Sequence, residues 1–173
     1  MKPYCFYNQR NDLIHFLNAE TEHVNNLLTV NYLFHKQLEF DELPTKSAFI
    51  DHSDMGRELG LWESTCFELF IQKNQQSPKA QDYYEVNFSP LRKKWNAFYF
   101  EYYRSPISPT SDIEFLEASV SERSIKLTLK IPEGDYQFHP KVILVNKNIH
   151  ETLYLSNQKH PSSGPDFHVF LDT

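Results

Sequence analysis

The chain has 173 residues, of which 40% are hydrophobic and 15% aromatic, with two cysteines and a formal net charge of −6. That length buries a substantial core without disulfide or metal staples, so one domain over residues 1–173 is expected. The acidic balance, with no Lys/Arg stripe interleaved with stacking rings, excludes the electrostatic footprint of a nucleic-acid binder, and the lack of eighteen consecutive uncharged apolar residues excludes a helical membrane span.

The opening MKPYCFYNQRND has no apolar run of signal-peptide length, so a cytoplasmic protein with Cys5 and Cys66 as reduced thiols is expected. DLIHFLNAE, within the first twenty residues, fits a short strand or a helical turn. From His23 to Phe40 the pattern alternates in its centre: Leu28, Val30, Tyr32 and Phe34 fall on one side and Thr29, Asn31, Leu33 and His35 on the other. One long early strand is expected there. DELPTKSAFIDHSDMGRELG reads as a long connection with a short strand at SAFI.

Leu61 to Arg104 carries the strongest signal. Three runs, LWESTCFELFIQK, DYYEVNFSP and WNAFYFEYYR, alternate apolar and polar side chains with the period of neighbouring β-strands. Phe67, Leu69 and Ile71 share one face of the first and Cys66, Glu68 and Phe70 the other. In the second, Tyr84, Val86 and Phe88 oppose Tyr83, Glu85 and Asn87. A single pleat thus separates a greasy face from one bearing carboxylates, an amide and rings, and that mixed face is the candidate binding surface. LRKK between the second and third runs reads as a solvated turn. SPISPTSD breaks the sheet, FLEASVSE and SIKLTLKIP form a hairpin across ERS, PEGDYQFHP is turn-rich, and KVILVNKN and ETLYLSNQ are strands. The tail KHPSSGPDFHVFLDT follows. So many short strands at turn spacings of eight to twelve residues predict an all-β fold, an antiparallel β-sandwich.

The combination of LWESTCFELFI at 61–71, YYEVNFSPLRKKWNAFYFEYYR at 83–104 and HPSSGPDFH at 160–168 resembles the bacterial DOMON-like proteins, a group similar to the family-9 carbohydrate-binding modules. The resemblance implies a jelly-roll-like sandwich with a ligand site at one side of the sheets, taking sugars or, in some members, haem. Haem ligation there would call for a Met/His or similar pair, and Met55 is the only methionine beyond Met1, so no cofactor is expected. The sugar-binding modules clamp their ligand between two tryptophans. Here only Trp62 sits where that pattern wants one, Trp95 opening a strand after a basic turn, and a tyrosine such as Tyr84 or Tyr102 would supply the second surface.

The expected function is therefore non-catalytic binding of a small polar ligand, a sugar or sugar derivative. Trp62 and Tyr84 would give ring contact, while Glu68, Glu85, Asn87, Arg104, His160, Asp166 and His168 would satisfy hydroxyls, with no metal. A carboxylate inside a sandwich is costly unless paired, so Glu68 or Glu85 bonded to Arg104, locking strand to strand, is the structural alternative. Two other functions compete. In one, His160, Asp166 and His168, joined by Glu68 and even His35, hold a metal or shuttle protons as an enzyme. In the other, an exposed edge strand pairs with a protein partner. Cys66, inside a strand without an adjacent base, reads as a small buried side chain.

Overall fold

A computed structural model of the chain describes residues 1–35, 48–74, 82–146, 151–161 and 164–168. The end of the run through Phe40, the loop readings on 41–47 and 75–81, the end of KVILVNKN, and tail residues 162–163 and 169–173 lie outside them. Among the described residues no helix is long and apolar enough to cross a membrane.

Alternation becomes strand throughout. The strands are β1 (Lys2–Tyr7), β2 (Leu13–Val24), β3 (Leu27–Phe34), β4 (Ala48–Asp51), β5 (Gly56–Arg57), β6 (Cys66–Lys73), β7 (Tyr83–Ser89), β8 (Lys94–Phe100), β9 (Ser108–Pro109), β10 (Glu114–Val120), β11 (Ser124–Lys130), β12 (Tyr136–Asn146) and β13 (Glu151–Ser156). They pair in the order β4-β10-β11-β3-β2-β1-β13-β12-β6-β7-β8-β5, with β9 also on β8. Every pairing is antiparallel except the short β5–β8 contact. Between β1 and β13 the ladder thins to the single pair Tyr7↔Ser156. At that seam the curled sheet divides into two layers that face each other.

The facing surfaces form the core. Leu28, Val30, Tyr32 and Phe34 of β3 and Ile125, Leu127 and Leu129 of β11 meet Phe67, Leu69 and Ile71 of β6 and Val86 and Phe88 of β7, all buried. Rings interlock across the gap, Tyr32 with Phe67 at 5.1 Å and Phe88 with Phe115 at 5.6 Å between centroids. Each large apolar side chain buried there stabilises the fold by about 1.5–3 kcal/mol. The result is the antiparallel β-sandwich expected from the pattern.

DLIHFLNAE, open between a short strand and a helical turn, is strand, the start of β2, and β1 precedes it. Four local readings change. SPISPTSD, expected to break the sheet, carries the two-residue β9, paired with β8. The single strand expected from His23 is a hairpin instead: β2 runs to Val24, paired with Leu27 across a two-residue turn. Asn25 holds φ 57° in that turn, a left-handed conformation Asn tolerates better than most residues. The third central run stops at Phe100, and the chain turns through residues 101–104 with Arg104 at φ 53°. The turn-rich reading of PEGDYQFHP fails at its second half, because β12 begins at Tyr136 and carries Pro140 opposite Leu69. Pro140 accepts a bond from the Asn157 N–H at 3.3 Å, just beyond the end of β13. Its missing donor points the same way, past the last pair of that ladder, so no sheet bond is lost.

A candidate ligand cavity on the outer face of the second sheet

The second sheet is covered on its outer face too. β7 is buried along its whole length, as expected when both faces of a strand are packed. A one-turn 3-10 segment, Leu61–Glu63, crosses this outer face after Gly60, whose φ of 77° suits glycine. Residues 164–168 lie over it from the other end of the chain. Leu61, Cys66, Phe70, Tyr83, Phe98, Phe100, Ile143 and Phe167 make a second apolar cluster there, with Trp62 packed against it.

Register places the polar groups. Lys141 of β12 lies opposite Glu68 of β6, Glu68 opposite Asn87 of β7, and Asn87 opposite Asn96 of β8. One row along, Phe70 lies opposite Glu85 and Glu85 opposite Phe98. The face therefore has a polar floor between aromatic flanks. A cavity of about 480 Å³ opens on it, lined among others by Trp62, Glu68, Phe70, Glu85, Phe98, Phe100, Arg104, Tyr154, Asp166, Phe167 and His168. That is within the usual range for small-molecule sites.

Its hydrogen bonds tie the tail to the floor. The Asn87 amide donates to Glu85 Oε1 at 2.7 Å, and Glu85 Oε2 faces His168 Nε2 at 3.9 Å. His168 Nδ1 is 2.7 Å from the Tyr83 hydroxyl, which accepts the Arg104 N–H at 3.4 Å. The ring thus sets one nitrogen against the Tyr83 hydroxyl and the other toward Glu85, and its tautomer decides which of the two receives a proton from it. Asp166 accepts the His168 N–H at 3.0 Å, pairs with Arg104 Nη2 at 3.1 Å and takes the Tyr103 hydroxyl. The Phe167 ring stacks on His160 at 5.7 Å and lies 5.9 Å from Lys141 Nζ.

Burial shifts the ionisable groups. It holds Glu68 well above the usual carboxylate range, helped by Glu85 and opposed by Lys141. Burial likewise pushes Glu85 up to about 7 against the Asn87 hydrogen bond. Lys141 is lowered to about 7 by burial, although Glu68 and Asp166 favour its charge. His168 falls to about 4, again chiefly by burial. At Asp166 burial works the other way, but the Tyr103, His168 and Arg104 bonds outweigh it and keep the carboxyl ionised.

Of the nine residues expected at the site, Trp62, Glu68, Glu85, Arg104, Asp166 and His168 line this one cavity. Asn87 is fully buried and does not line the cavity, and its amide donates to Glu85, which does. Tyr84 is corrected: being next to Tyr83 on a strand, it faces the opposite side, into the core, where its hydroxyl donates to Asp112 at 3.2 Å. Tyr102, the alternative second surface, stands exposed in the turn after β8. His160 is corrected as well. It lies behind Phe167 with Nε2 3.1 Å from the Tyr154 carbonyl, so it does not line the cavity with Asp166 and His168. His35 stands at the end of β3, in the other sheet, and is exposed. Arg104 pairs with Asp166, not with Glu68 or Glu85 as the structural alternative had it. Among the described residues no three His, Cys, Asp or Glu side chains gather as a metal site. Cys66 is fully buried, its thiol pushed up by burial.

Lys141 and Tyr103 were missed. A lone lysine inside the apolar run KVILV was the available signal for the first, since a charge at a buried strand position needs a partner.

No family model matches the sequence, and no curated protein matches it significantly. A crystal structure of a putative carbohydrate-binding protein from Bacteroides uniformis is similar in fold over 96% of this chain and 82% of its own, with a TM-score of 0.54 at 12% identity. At that identity the likeness concerns the sandwich alone.

Proposed function

We propose that the chain is a single sandwich domain that binds a saccharide in this cavity without turning it over. The observation that carries the reading is the composition of the cavity: buried hydrogen-bonding groups on the floor, enclosed by Phe70, Phe98, Phe100 and Phe167, with Trp62 beside them. A sugar presents hydroxyls along its edges and C–H groups on its ring faces, and it needs both kinds of surface. The description of the Bacteroides uniformis neighbour and the resemblance to DOMON-like and family-9 modules agree with this reading. Trp62 supplies the platform, and the aromatic flanks take the place of the second tryptophan.

The test is a panel of mono- and disaccharides followed by thermal shift. At least one is expected to raise the melting temperature, and Trp62→Ala to weaken that ligand about tenfold, as loss of a stacking aromatic does. A bound disaccharide should be recovered intact. A panel that leaves the melting temperature unmoved would count against the proposal.

A further inference from the structure

The charges of the cavity are unbalanced, and on the saccharide reading this says which sugar it takes. Three carboxyl groups, Glu68, Glu85 and Asp166, line it against one guanidinium, Arg104. Asp166 and Arg104 satisfy each other at 3.1 Å, which leaves the two glutamates in surplus. Glu85 takes one amide hydrogen from Asn87. Among the described residues the Glu68 carboxyl takes no hydrogen bond, although it is only 3% exposed and lines the cavity. The nearby cation, Lys141, is fully buried, donates to the Ser156 hydroxyl at 2.6 Å and sits under the Phe167 ring.

The remaining neighbours add no positive charge. His168 is neutral, while the Cys66 thiol and the Tyr83 hydroxyl are held protonated by burial. The flanks are ring surfaces, whose faces attract cations. We propose that the cavity selects a saccharide bearing a free ammonium group, an amino sugar, with the ammonium seated against Glu68 and Glu85 and the ring against the aromatic flanks. Such a ligand adds a second cation where, among the described residues, Lys141, held on the Ser156 hydroxyl, is the one charge that opposes two buried carboxylates. It also drives off a proton they hold in its absence, so binding is coupled to proton release.

Calorimetric titration at about pH 7, in two buffers of different ionisation enthalpy, tests this with glucosamine, glucose and N-acetylglucosamine. Glucosamine is expected to bind at least about tenfold more tightly than the two neutral sugars and to release protons to the buffer. Its preference should shrink toward unity in Glu68→Gln. Glu85→Gln is the second variant should the first not fold. Glucose binding as tightly as glucosamine, or glucosamine binding without proton release, would overturn the ammonium assignment and leave the saccharide site standing. If none of the three binds to protein that is folded by circular dichroism, the ammonium assignment falls, and the saccharide reading falls with it when the disaccharides of the wider panel fail as well.

Discussion

Glu85 shows how much a single side chain here departs from ordinary behaviour. Burial holds its carboxyl at about 7 in the folded chain, up from an ordinary value of 4.5. Below the lower value both folded and unfolded states hold the proton. As the pH rises through the window the unfolded chain releases it first, so stability is lost up to about pH 7. Glu85→Gln keeps the bond from Asn87 and removes that loss. Its stability advantage over the parent, measured by denaturant unfolding, should grow from near zero at low pH to roughly 2–3 kcal/mol above pH 7. Lys141, lowered from 10.5 to about 7, has the opposite sign. It adds stability as the pH rises from about 7 toward 10.5, and Lys141→Met should abolish that rise. At this scale the sequence was legible by parity. Alternation put Glu68, Glu85 and Asn87 on one face, and the same parity rule excludes Tyr84, the neighbour of Tyr83. Lys141 escaped because an isolated lysine does not announce which strand will lie beside it.

Among the elements, the segment 164–168 differs from the strands around it. It is held over the cavity by side chains: Asp166 to Tyr103 and Arg104, His168 to Tyr83, and Phe167 on His160. Asp166→Ala removes the first set and the bond to the His168 N–H. Amide exchange at His168 should accelerate at least about tenfold, as for a locally opening segment, while exchange in β6 and β7 stays slow. Unchanged protection at His168 would show that the Tyr83–His168 bond and the Phe167 stack hold the segment without Asp166. β11 and the central strands were legible because their alternation is uninterrupted, and β10 was legible beside β11 despite a register shift between Phe115 and Glu117. β12 was read short because Pro140 looks like a break, and only the place where β13 ends makes a proline harmless there. The β2–β3 turn was hidden in an otherwise alternating run, its one signal being the pair Asn25–Asn26.

For the whole molecule, two layers share one continuous ladder at a narrow seam and are pinned through the interior. The Tyr32 hydroxyl of β3 donates to the Glu68 carbonyl of β6 at 2.7 Å, linking opposite sheets. Tyr32→Phe leaves that buried carbonyl without its donor and should lower unfolding stability by about 1–3 kcal/mol, with the denaturant slope unchanged. The sandwich class was legible from strand number and spacing. The order of strands was not, because partners such as β12 and β6 are chosen by long-range packing that no local pattern records. Odd and even positions of β6 and β7 answer to different demands, one set filling the interior and the other lining the cavity or packing beneath it. On the proposed function, Glu68, Phe70 and Glu85 are therefore the positions to vary for altered specificity while Phe67, Leu69 and Val86 keep the scaffold intact.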